Sequence, residues 1–176
     1  DEEITIINEK TRNEKIKQFF SENKKILILF ILALIIFIFS FYSYQIFKDN
    51  KKEKLSDRYN ALVIDYNDEN KVEIIPSMKK IIESKDSTYS PLALYFLIDN
   101  NLIESQSEIN RLFDILINKT SLEFEIKNLI IYKKALYNAD TIDENQLLNI
   151  LNPIINSKSV WRSHSLYLVA EYFYSK

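Results

Sequence analysis

The chain contains no glycine and no cysteine, and it has a single histidine in 176 residues. Without glycine, loops that need positive φ or that bring the backbone close to a phosphate are not expected. That excludes the P-loop and the dinucleotide fingerprint together. Without cysteine, and with one histidine, there is no basis for a zinc site, thiol catalysis or a disulfide framework. Charge of neither sign prevails, since 23 basic against 25 acidic residues leave a formal net charge of -2. Nucleic-acid binding wants a basic face, which this balance does not provide. Neither an enzyme nor a cofactor is expected from such a composition.

What is present begins with a long apolar run. From Ile26 to Phe47 no residue carries a charge. As a helix this run is about 33 Å long, enough to cross the hydrocarbon core of a bilayer. Core helices of soluble proteins seldom run so far without a polar face. Lys24 and Lys25 close the run on one side and Lys48 on the other. Tyr42 and Tyr44 sit near its second end, where amphipathic rings favour the headgroup zone. The run is too long for a cleaved signal peptide, and no small-residue cleavage pattern follows it, so it reads as a permanent anchor. Basic residues leave its orientation open: Lys15, Lys17, Lys24 and Lys25 precede it, and Lys48, Lys51, Lys52, Lys54 and Arg58 follow. Ahead of it, Ile16, Phe19 and Phe20 share a helical face. That stretch is either a short helix lying on the membrane surface or a plain extension of the span.

From Lys48 onward, apolar residues recur at helical spacing in seven segments. Leu55, Tyr59, Leu62, Val63 and Tyr66 make the first stripe. Ile74, Met78, Ile81 and Ile82 make the second, with a kink expected at Pro76. The third, Leu92 to Ile98, is apolar all round and suits a helix packed on several sides. Ile109, Leu112, Phe113 and Leu116 form the fourth, and Ile126, Leu129, Ile130 and Tyr137 the fifth. Leu147, Leu151, Ile154 and Ile155 form the sixth, interrupted by Pro153. Leu166, Val169, Ala170 and Phe173 form the last. No segment alternates with period two for long, so no strand is expected.

Helix starts are marked by Ser90-Pro91, a capping hydroxyl before a proline. Ser105 with Glu108, Thr120 with Glu123 and Thr141 with Glu144 read as capping boxes. The segments also repeat. Residues 81–87 (IIESKDS) resemble residues 115–121 (ILINKTS) and residues 154–160 (IINSKSV). In each copy a lysine is expected in the last helical turn, where a cation suits the exposed carbonyls. Leu92-Ala93-Leu94-Tyr95 is echoed by Leu129-Ile130-Ile131-Tyr132. A period in the mid-thirties with two helices per unit marks tetratricopeptide-like arrays.

Residues 14–25 (EKIKQFFSENKK), then one span, then degenerate helical repeats resemble the YfgM-like family of ancillary Sec-translocon subunits. The resemblance covers essentially the whole chain, and its most specific part is the KQFFSENKK stretch directly before the span. It implies a single-pass protein of the bacterial inner membrane. Residues 1–25 would be cytoplasmic, 26–47 would span the membrane, and 48–176 would form a periplasmic repeat domain. It further implies protein partners, namely the Sec channel and the periplasmic chaperones that receive emerging proteins.

Other chemistry finds little footing. His164 stands between Ser163 and Ser165, yet three consecutive residues do not face one another on a helix, so no catalytic triad is expected. Asp140, Asp143 and Glu144 lack the glycine and the oxygen spacing of a calcium loop. Asn118-Lys119-Thr120 matches a glycosylation sequon but reads as a helix end followed by a cap. Lys51 to Lys54 read as a solvated helix face. No catalytic, cofactor or metal residue is assigned.

The expected fold is therefore all-α, one transmembrane helix followed by a tetratricopeptide-like solenoid. The expected function is non-enzymatic protein interaction, since solenoids present extended surfaces. Two other readings stay open, a stalk or scaffold subunit of another membrane complex and the membrane anchor and repeat part of a longer protein whose catalytic part lies beyond Lys176. The anchor is bounded by Ile26 and Phe47. Tyr95, Tyr132 and Tyr167 fall once in each successive repeat, either as a protein-binding ladder or as ordinary core residues. The last helix is expected to expose Leu166, Val169 and Phe173 unless a further helix beyond Lys176 covers them.

Overall fold

The computed structural model describes residues 14–175 except Ile16 and Asp68. Among these residues every regular element is helical, and no strand occurs. Seven helices follow the short helical stretch that precedes Asn23: α1 Lys24–Asp65, α2 Lys71–Glu83, α3 Tyr89–Asp99, α4 Gln106–Lys119, α5 Phe124–Asn138, α6 Glu144–Ile155 and α7 Arg162–Ser175. The chain divides into two compact units, residues 1–51 and 52–176.

In the first unit, α1 is the one described helix long and apolar enough to cross a membrane, with a mean hydropathy of 2.9 in its apolar part. None of that part is buried against protein. Apolar side chains left uncovered by their own chain are what a bilayer would solvate. Phe19 and Phe20 are exposed too, their rings edge to face. Ile16, the remaining member of that face, lies outside the described residues.

The second unit holds two hydrophobic clusters. Ile74, Met78, Ile81 and Ile82 of α2 meet Ala93, Leu94 and Leu97 of α3 and Ile109, Leu112, Phe113 and Leu116 of α4. Leu55, Tyr59, Leu62 and Tyr66 pack against this cluster from the end of α1. The second cluster joins Ile131 and Ala135 of α5 to Leu147, Leu151 and Ile154 of α6 and Leu168 and Tyr172 of α7. Adjacent residues of α5 serve both, Ile130 the first and Ile131 the second.

The helix ends differ from several expectations. Thr88, not Ser90, precedes α3. The Asp86 carboxylate caps this end by accepting the Thr88 and Tyr89 amides at 2.8 Å, and the buried Ser90 hydroxyl donates to the Ile81 carbonyl. Ser105 does cap α4 by accepting the Glu108 amide. Thr120 ends α4 instead of starting α5, its hydroxyl donating back to the Ile115 carbonyl. Thr141 likewise donates back to Asn138, and the reciprocal capping box of α6 belongs to Asp143 and Gln146. Helices α2 and α6 run through Pro76 and Pro153 without ending.

Two of the three similar segments end their helices alike, with Ser84 and Ser157 each donating three residues back, while Thr120 of the third donates five residues back. The carbonyls of Ile81, Ile115 and Ile154 each accept a side-chain hydroxyl, from Ser84, Thr120 and Ser157. Of the repeated lysines only Lys119 lies in a last helical turn; Lys85 and Lys158 follow their helices. Lys85 and Asn101 adopt φ of 57° and 52°, so positive φ does occur without glycine. Asn101 completes a Schellman end for α3, with the Leu102 amide on the Leu97 carbonyl at 2.9 Å.

Two stripes turn differently from their expected faces. In α5, Ile126 is exposed while Asn128 and Asn138 are buried. In α7 the inward face is Ser165, Leu168 and Tyr172. Leu166 and Phe173 are exposed, as expected, and Val169 is partly buried against the second cluster.

Candidate functional site

Three clefts follow one another along α5. Its side chains Ile126, Leu129, Lys133 and Leu136 stand three or four residues apart and so share one face, and Asp140 follows in the turn past the helix end. Ile126 and Leu129 meet Pro91, Leu92 and Tyr95 of α3 in a first cleft of about 370 Å³. Lys133 and Leu136 meet Tyr95, Ile98 and Asp99 of α3, with Phe113 of α4, in a second of about 230 Å³. Leu136 and Asp140 meet Leu168, Glu171 and Tyr172 of α7 in a third of about 550 Å³. Tyr95 is shared by the first two clefts, and Leu136 by the last two.

Tyr95 is the centre of this row. The Lys133 ammonium lies 3.9 Å from its ring centroid, a cation–π contact that holds the lysine over the ring. Its hydroxyl is buried with no hydrogen-bond partner among the described residues. Burial pushes the phenol well above its ordinary pKa, and the Asp99 carboxylate adds to the rise. The group is therefore a neutral phenol at any physiological pH.

The other two expected tyrosines lie elsewhere. Tyr132 stacks on Trp161 at 5.8 Å, and His164 approaches both rings, at 6.1 Å from Tyr132 and 5.3 Å from Trp161. Tyr167 is 68% exposed on α7. Only Tyr95 of the three lines the clefts. Lys133, Leu136 and Asp99 were not anticipated. The signal for Lys133 and Leu136 was the run of mixed apolar and charged residues at helical spacing in α5, and nothing in the sequence singled out Asp99 at the end of α3.

The remaining candidates are held in structural roles. Ser165 is buried and donates to the Trp161 carbonyl, so it does not serve His164. Asp143 caps α6, and no group of three His, Asp or Glu side chains among the described residues is placed to hold a metal ion. Thr120 of the sequon is buried at the end of α4. Lys51 to Lys54 are exposed.

Elsewhere in the domain, charges pair with one another. Glu108 receives Arg111 and Lys79, both at 2.8 Å, and Lys134 meets Asp114 at 2.7 Å. The Arg111 hydrogen bond, then that of Lys79, holds the Glu108 carboxyl down at about 2. These pairs tie α2 to α4 and α4 to α5.

No protein-family model matches this chain, and no curated protein or solved structure matches it either.

Proposed function

We propose that the protein is a non-enzymatic, membrane-anchored interaction module that binds other proteins through the cleft row along α5. The observation that carries this reading is the row itself. It joins three clefts, exposes Leu92, Ile126 and Leu136, and centres on a cation-covered tyrosine. Exposed apolar side chains gathered in a groove mark interaction surfaces more often than isolated ones do. Anchoring by α1 raises the effective concentration of a weak binder at its site of action without any new contact.

The repeat reading draws support from the like endings of α2 and α6, where Ser84 and Ser157 each donate three residues back to Ile81 and Ile154. A tetratricopeptide-like solenoid is the architecture we infer from it. By its resemblance to the YfgM-like family, the module would be ancillary to the Sec translocon of the bacterial inner membrane. Its N-terminus would be cytoplasmic, and the helical domain periplasmic beside chaperones and emerging proteins.

The test is photocrosslinking in native membranes from position 136, where Leu136 is exposed and borders two clefts. Capture of channel subunits, chaperones or translocating chains from this position, and not from exposed Glu104 before α4, is the expected result. Equal capture from both positions, or none, removes the face from consideration. Reporter fusions after Lys176 that are active only in the cytoplasm overturn the proposed topology.

A further inference from the structure

We propose that the cleft row recognises an extended segment that mixes basic with apolar side chains, an inference that rests on reading the row as a protein-interaction face. Four carboxylates border it: Glu123 at the first cleft, Asp99 at the second, Asp140 and Glu171 at the third. All four are exposed. Among the described residues none of these side chains takes part in an ion pair or hydrogen bond.

Some other carboxylates of the domain are paired within the fold. Glu83 and Glu108 reach Arg111, and Asp114 holds Lys134. The Glu125 carboxylate accepts the Ser159 hydroxyl at 2.6 Å. Those acids are compensated within the fold. The four on the row are not, and their field extends over floors made of Leu92, Ile126, Leu129 and Leu136. Among the described residues Lys133 is the one basic residue that lines the clefts, and its ammonium is occupied with the Tyr95 ring. The row therefore carries an excess of negative charge beside apolar surface. A complementary partner supplies cations for the rim and apolar side chains for the clefts.

Its length follows from α5. Ile126 to Leu136 spans about 15 Å at the helical rise, which an extended segment covers with about five residues. An extended strand of that length reaches all three clefts, with apolar side chains entering and lysines or arginines between them meeting the carboxylates.

The experiment uses the full chain in nanodiscs of zwitterionic lipid, with empty nanodiscs as the blank. A fluorescent nonapeptide of interspersed Leu and Lys is compared with its counterpart carrying Glu for Lys. Binding of the basic peptide alone is expected. The triple variant Asp99→Asn, Glu123→Gln, Asp140→Asn should bind it about tenfold more weakly, the order expected for three exposed charge pairs. Lys133→Gln should bind it at least as tightly as the unaltered chain, because a like charge is removed from the rim. Comparable binding of the acidic peptide, an unchanged triple variant, or weakened binding by Lys133→Gln each overturns the inference. Retained protein capture from position 136 with neither peptide bound sinks the partner class alone; loss of both sinks the interaction face as well.

Discussion

Asn110 and Asn138 exchange two hydrogen bonds through their side-chain amides, each 2.8 Å long, across α4 and α5. Asn138 is only 1% exposed, and its amide is saturated, since Gln106 also donates to it and it donates to the Lys134 carbonyl. A buried amide with every site used fixes the register of two helices that apolar packing alone would let slide.

Asn138→Ala should therefore destabilise the domain by about 1–3 kcal/mol, because Asn110 loses its partner and Gln106 keeps only Thr141. Adding Asn110→Ala should cost less than the sum of the two single changes. Urea unfolding of the four members of this cycle decides it. Strict additivity would mean that the amide pair carries no coupling.

Glu108 gives the domain an acid-sensitive joint. Its carboxyl titrates at about 2 in the folded state against an ordinary value of 4.5. A lowered pKa contributes stability above the unfolded value that is lost as pH falls through the folded one. The stability gap between the unaltered chain and Glu108→Gln should be full near neutrality and shrink from about pH 4.5 down to about pH 2. A gap independent of pH would show that the Arg111 and Lys79 contacts do not favour the ionised form.

Lys85 and Asn101 hold positive φ with a β-carbon present. For most residues this region costs about 1–2 kcal/mol, and asparagine enters it more readily than lysine. Lys85→Gly should raise the unfolding midpoint, and Asn101→Gly should raise it less. The difference between the two, measured by thermal unfolding, is the diagnostic quantity. An equal or reversed order would contradict the backbone assignment.

Two tyrosine hydroxyls offer a matched pair of opposite sign. Tyr172 donates to the Ile142 carbonyl at 2.8 Å, whereas the buried Tyr95 hydroxyl has no hydrogen-bond partner among the described residues. Tyr172→Phe should cost about 1 kcal/mol, the ordinary net value of such a bond. Tyr95→Phe should be neutral or stabilising, because it removes an unsatisfied polar group while leaving the ring under Lys133. Calorimetry on both variants checks the pair. A larger loss at Tyr95 than at Tyr172 would assign the Tyr95 hydroxyl a hidden partner.

Helical periodicity made the elements of the domain legible in advance. The stripes Ile74–Met78–Ile81 and Ile109–Leu112–Leu116 are regular, and both are buried as their spacing implies. The helix ends were less legible. A serine or threonine before a polar stretch can bond forward to an amide or backward to a carbonyl, and the letters do not say which. Thr120 and Thr141 bond backward; Ser105 bonds forward. The cleft row was least legible. Ile126 and Leu136 have the composition of core residues and become surface only because α3 and α7 leave gaps beside α5. Tyr132 and Tyr167 matched Tyr95 in spacing, yet the burial of the tyrosines depends on neighbours that local repetition does not encode.

Helix α5 hands Ile130 to one cluster and Ile131 to the next, two consecutive side chains with loyalties on opposite sides. No half of the domain can then be set aside with its apolar surface still covered. For protein turnover in the cell this removes the middle ground. A quality-control protease would meet either an intact domain with few places to begin or a fully opened chain it can consume from end to end.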